Sequence, residues 1–107
     1  IFRQIKSSGH GSFLAVLKTF GDRPSLGLLS YPRPGITLAL DFAMTGAPLL
    51  KELSQYDSQI AAVGGNIYPA KDARMSREHF HQFYPAVTEF KKYVDPHFSS
   101  SFWRRVQ

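Results

Sequence analysis

The sequence predicts an α+β domain, a small antiparallel sheet with helices packed on one face and a helical C-terminal segment. Three observations predict it. Ile36, Leu38, Leu40 and Phe42 alternate with Thr37, Ala39 and Asp41, the period of a strand with one face on a core. Leu49, Leu50, Leu53, Tyr56, Ile60 and Val63 recur at helical spacing and trace one stripe. Phe80, Phe83, Tyr84, Phe90, Tyr93, Phe98, Phe102 and Trp103 crowd a stretch that reads as helices and turns.

Taken in order, Ile1, Phe2 and Ile5 have the spacing of one helix face, with no capping residue before them. A helix that starts in mid-pattern implies a piece of a longer chain. Gly9 and Gly11 punctuate, and residues 12–20 read as a strand. Phe13, Ala15 and Leu17 fall on one side of it, and Ser12, Leu14, Val16 and Lys18 on the other. Residues 21–35, with three prolines and three glycines, read as a loop.

The strand at 35–42 leads to a helix over 47–63. Pro48 sits in the first turn of that helix, where its missing N–H does no harm, and Gly64-Gly65 caps its end. Asn66-Ile67-Tyr68 has the length of a short third strand. Ser76 caps a helix through about Gln82. Pro85 opens another through Val94, which Asp95-Pro96 stops. A last turn covers Phe102 to Val106. Ile36, Leu38, Leu40, Phe42, Leu53 and Ile60 are expected to form one core between sheet and helix.

The 107 residues suit one domain, and 43% hydrophobic content is a globular composition. No apolar run approaches the ~20 residues that span a bilayer, so no transmembrane segment is expected, and the opening residues do not read as a signal peptide. The net charge is +5. It comes from cations scattered singly or in pairs, such as Lys91-Lys92 and Arg104-Arg105, and not from a run that reads as a nucleic-acid arm. Without cysteine there is no disulfide and no thiolate metal site.

Several chemistries are set aside. "GHGSF" is not GxSxG and precedes a strand, so it is no nucleophile elbow. GxGxxG and GxxxxGK[ST] are absent. His79 and His81 stand two apart, and on a helix they point to different sides, so no metal site is expected. "GSFLAVLK" only echoes the RNA-binding sheet signature.

What needs explaining is "GGNIYPAKDAR", residues 64–74, where a Tyr and a Lys stand three apart just after a helix end. The predicted polar sheet face gathers Ser12, Lys18, Thr37 and Asp41, with Asn66 and Tyr68 beside them and Lys71 just beyond. Small residues next to single functional groups suit a ligand face.

"SGHGSFLAVLKTFG", "PRPGITLALDF", "GGNIYPAKDAR" and "FYPAVTEF…VDPHFSSSFWRRV" together resemble the C-terminal part of FAD-linked oxidases of the vanillyl-alcohol-oxidase type. The resemblance runs in consistent order from Ile1 to about Arg105. It implies that residues 1–107 are a substrate (cap) domain whose partner is its own N-terminal FAD-binding domain. It implies that Lys71 reaches flavin and substrate, and that Tyr68 contacts the cofactor site. Lys18 and Phe20 fall in the motif FLxVxKxFG, whose lysine lines the substrate pocket, and Thr37 and Ala39 face that pocket. Close relatives carry asparagine and cysteine at those last two positions.

The implied activity of the full-length chain is oxidation of a secondary hydroxyl of a sugar or sugar-phosphate, lipid-linked or free, by hydride transfer to flavin. The 107 residues alone are expected to be inactive and to bind neither flavin nor metal. A cytoplasmic location is implied, free or peripheral to the membrane. The alternative from a different class is a free-standing α+β binding module that uses a basic sheet face for nucleic acid or anionic ligands. Steep salt dependence would mark it. With the oxidase reading, no nucleic-acid partner is expected.

Overall fold

The computed structural model describes residues 1–71 and 74–107. It shows a small α+β fold: α1 (Phe2–Ser8), β1 (Ala15–Phe20), β2 (Gly35–Leu40), α2 (Ala47–Ala62), a 3-10 turn at Pro69–Lys71, α3 (Arg77–Phe83), α4 (Val87–Phe90) running into a 3-10 turn at Lys91–Tyr93, and α5 (Ser101–Val106). The chain divides into two compact units. One holds Ile1–Ser25 and Pro32–Leu53, the other Leu26–Tyr31 and Ser54–Gln107.

In the first unit, β1 and β2 pair antiparallel, with Ala15 opposite Leu40 and Phe20 opposite Gly35. Both strands are shorter than the alternation predicts, for a local reason. The Asp41 N–H is shared between the Ser12 hydroxyl at 2.9 Å and the Leu14 carbonyl at 3.4 Å, and that hydroxyl donates to the same carbonyl, so a side chain competes with the ladder there. α1 buries none of its residues, and Gly9 ends it in the left-handed region (φ 75°).

The expected core does not form between sheet and helix. Ile36 is 71% exposed and Leu17, on the same sheet face, 64%. Leu38, Leu40, Phe42 and Leu53 are half-buried. A pair of strands offers too narrow a surface to bury its apolar face alone.

The buried core lies in the second unit. Met75, Phe80, Phe83, Tyr84, Val87 and Val106 pack together, with Leu29, Ile60, Ala61, Ile67, Phe102 and Trp103 against them. Here the sequence signals hold. The Ser76 hydroxyl accepts the His79 N–H at 3.2 Å and starts α3. It also helps hold the Glu78 carboxyl below the usual carboxylate range, after the larger effect of that residue's own backbone N–H. Ser100 caps α5 through the Trp103 N–H at 3.0 Å. α3 packs on α5 through an edge-on contact of Phe80 with Phe102, centroids 5.4 Å apart. The Arg105 Nε donates to the Met75 carbonyl at 3.0 Å, tying the last helix to the chain before α3.

The expected third strand is absent. Residues 66–68 run as irregular chain into the Pro69–Lys71 turn. Side-chain bonds hold this segment where a strand neighbour was expected. The Tyr84 hydroxyl donates to the Ile67 carbonyl at 2.7 Å, and Asn66 Nδ2 donates to the Tyr31 carbonyl at 3.0 Å.

The contrast between buried and exposed aromatics is testable. Phe83 is 0% exposed and Phe98 77%. Phe83→Ala should cost about 3–5 kcal/mol of stability, and Phe98→Ala less than about 0.5 kcal/mol. Denaturant titration of the two variants measures both. Equal losses would contradict this placement of the core.

Candidate functional site

The candidate residues fall into two groups, one in each unit. On the hairpin, Lys18 stands opposite Thr37, Val16 opposite Ala39, and Phe20 opposite Gly35. Directly opposed residues of an antiparallel pair project to the same side, with Cβ atoms about 4.5–5.5 Å apart. Lys18, Phe20, Thr37 and Ala39 therefore share one face, as alternation predicts. The other face carries Ala15, Leu17, Thr19, Ile36, Leu38 and Leu40. Lys18 is exposed, with the small side chains of Thr37 and Ala39 beside it. An ammonium with three donors in such a setting suits an anionic oxygen or a sugar hydroxyl.

The second group lies in residues 64–71, and its geometry starts from the end of α2. The Gly65 N–H donates to the Ile60 carbonyl at 2.9 Å and the Gly64 N–H to the Ala61 carbonyl at 3.1 Å. This is the paired bonding of a Schellman end, with Gly64 left-handed at φ 72°. A Cβ on Gly65 would stand 2.8 Å from Ile60 Cγ2 and 3.1 Å from its carbonyl oxygen. Both glycines are thus needed, one for its φ and one for close approach.

From there the Asn66 and Ile67 contacts carry the chain to Tyr68. Its ring meets Tyr31 edge-on, centroids 5.3 Å apart, and stays 52% exposed. Lys71, at the end of the 3-10 turn, is exposed. Tyr68 and Lys71 sit on no strand of the β1–β2 sheet, which corrects the expectation that a third strand delivers them to its polar face. Asp72, the other charge of the motif, lies outside the described residues.

Sequence reasoning missed the group behind this segment. Asp57 is 1% exposed on α2. Arg74 meets it with both ends of its fork, Nη1 to Oδ2 at 2.5 Å and Nη2 to Oδ1 at 2.8 Å. His79 Nδ1 lies 4.0 Å from Asp57 Oδ2, and its Nε2 is 3.3 Å from the Ser58 hydroxyl oxygen. The signal was there to read: Asp57 falls between Leu53, Tyr56 and Ile60, an acid inside an apolar stripe. In the first unit a comparable contact joins His10 Nδ1 to Glu52 Oε2 at 2.7 Å.

His81 turns away from His79, and its Nε2–H donates to the Val106 carbonyl at 3.0 Å. Among the described residues no group of three His, Cys, Asp or Glu could hold a metal ion, and no helix is long and apolar enough to cross a membrane. β1 and β2 carry one cation between them, Lys18, so the hairpin lacks the row of charges that a phosphate backbone needs.

No protein-family model matches the chain. Along its whole length it is similar to the decaprenylphosphoryl-β-D-ribose oxidase of Mycolicibacterium smegmatis, with 38% identity over 112 residues. It is also 32% identical, over 99% of its length, to a Streptomyces coelicolor protein described as an uncharacterized protein in the mprA 5′ region. The chain spans 24% of the first relative and 30% of the second.

The Arg74–Asp57 pair predicts a large stability effect. Arg74→Ala leaves a carboxylate buried without its main partner and should cost about 3–5 kcal/mol. Exposed Arg77→Ala on α3 should stay within about 0.5 kcal/mol. Thermal and denaturant unfolding compare the two, and a mild Arg74→Ala would mean that Asp57 is solvated.

Proposed function

We propose that this chain is the C-terminal substrate-domain part of an FAD-linked oxidoreductase, which oxidises a secondary hydroxyl of a sugar carried on a lipid phosphate. The observation that carries the reading is the hairpin register. It sets Lys18, Phe20, Thr37 and Ala39 on one face of a chain that is 38% identical throughout to an oxidase named for a phosphoprenyl ribose. The activity belongs to the longer protein, which includes an N-terminal flavin-binding domain.

The residues present fit a flavin. Tyr68 offers an exposed aromatic ring and Lys71 an exposed ammonium three positions on, next to a backbone held in place by buried groups. A ring of this kind stacks or packs on an isoalloxazine, and an ammonium complements its carbonyl edge. A bound flavin would supply the acceptor for the hydride that leaves the carbinol carbon, and the hydroxyl proton would pass to solvent.

The work of this chain is binding and charge placement. Lys71 puts a positive charge where negative charge grows during the transfer, which lowers the barrier because that charge is present before the reaction begins. Lys18 Nζ holds a hydroxyl or phosphate oxygen of the substrate, with the Thr37 hydroxyl opposite it. Ala39 and Phe20 shape the floor on which the sugar lies. Thr37 and Ala39 are short, so they set which sugar fits more than how fast it reacts.

Lys71→Ala in the full-length flavoprotein tests the reading. Loss of a placed charge worth about 2–4 kcal/mol should slow flavin reduction by roughly 30- to 1,000-fold. The melting temperature should hardly move, because an exposed ammonium adds little to folding. Stopped-flow flavin absorbance follows the step. An unchanged reduction rate would overturn the role given to Lys71.

A further inference from the structure

We infer that Arg74, Asp57 and Tyr84 are positioning residues: they clamp residues 64–71 from behind and so fix where Lys71 and Tyr68 stand. The inference rests on the functional reading of those two residues given above. Its geometry rests on contacts of its own.

Lys71 sits between two anchors. Four residues before it, the Ile67 carbonyl accepts the Tyr84 hydroxyl at 2.7 Å. Three residues after it, Arg74 grips Asp57 with two parallel bonds. Each anchor is rooted in a group that cannot move freely: Tyr84 is 2% exposed and Asp57 1%. Three residues of extended chain reach at most about 10 Å. An anchored Arg74 therefore limits how far Lys71 can stray.

A single bond would leave a swivel, but a two-pronged Arg–carboxylate contact sets orientation as well as separation. Burying an ion pair is a poor way to gain net stability, since removal from water offsets most of the attraction. A geometric role gives a reason for this arrangement that stability does not. The Asn66 amide on the Tyr31 carbonyl and the Tyr31–Tyr68 ring contact complete the support on the N-terminal side.

The test separates position from stability in the full-length flavoprotein. Arg74→Met breaks the fork and leaves Asp57 exposed to the full penalty of burial, so it lowers both melting temperature and rate. The double variant Asp57→Leu/Arg74→Met replaces the pair by apolar groups and should recover most of the melting temperature. It should still reduce flavin about 10- to 100-fold more slowly, since a misplacement on the order of 1 Å costs that much. Tyr84→Phe, which keeps the buried ring and deletes one hydrogen bond, should slow reduction in the same direction by less.

Deuterium uptake of the 64–71 peptide provides a readout that needs no turnover, and it should quicken about tenfold or more in the double variant. Wild-type reduction by the double variant, or unchanged uptake at 64–71, overturns the clamp. If Lys71→Ala alone reduces flavin normally, the role of Lys71 falls, and deuterium uptake still decides whether the clamp exists.

Discussion

The close approach of Gly65 to Ile60 governs how the second unit is built. With the Gly65 N–H 2.9 Å from the Ile60 carbonyl there is no room for a side chain, and α2 must stop there. Gly64 takes the left-handed turn that no β-branched residue would accept. The chain that leaves carries Asn66 and Ile67 to partners that are already fixed, the Tyr31 carbonyl and the Tyr84 hydroxyl. Ile60 and Ile67, on either side of the turn, both pack on the aromatic core. One backbone contact thus links the end of a helix, the edge of the core and the start of the segment that bears Tyr68 and Lys71.

The core is made by helices and not by the sheet. The aromatic cluster that ends the sequence packs ring on ring, Phe80 against Tyr84 and Phe102, Phe90 against Trp103. Such pairs add to the area they bury because edge and face attract. The hairpin cannot do the same. Its apolar face, with Leu17 and Ile36 more than half exposed, spans two strands only.

Much of this was legible from residues alone. Period-two alternation gave the two strands and the face shared by Lys18, Thr37 and Ala39. Ser76 marked a helix start, and Gly64-Gly65 marked a stop, because capping is local chemistry between neighbours in sequence. The failures were all long-range. Asn66 to Tyr68 run as irregular chain, and there the Ile67 carbonyl accepts the Tyr84 hydroxyl, distant in sequence, where a strand neighbour would have donated. Alternation at Ile36–Phe42 says which side of a strand is apolar but not whether anything covers it. Asp57 drew no notice in the sequence, although Arg74 meets it with both ends of its fork. A partner seventeen positions away has no signature in a helical stripe beyond the misfit of the acid itself.

The two candidate lysines are held in place by different kinds of force, and this bears on how each site responds to change. Lys18 is positioned by a backbone ladder, in which neighbouring residues donate and accept through groups that every amino acid shares. Substituting Thr37 or Ala39 alters what lies beside Lys18 without moving it, so the make-up of the hairpin face can change at little structural cost. Lys71 is positioned by side chains, a tyrosine hydroxyl and an arginine fork, and each is specific to its residue. On the proposed function and the clamp inferred from it, a change at Tyr84 or at Asp57 on α2 would reach Lys71 through the chain, so variation in specificity would fall on the hairpin and loss of function by remote substitution behind the 64–71 segment.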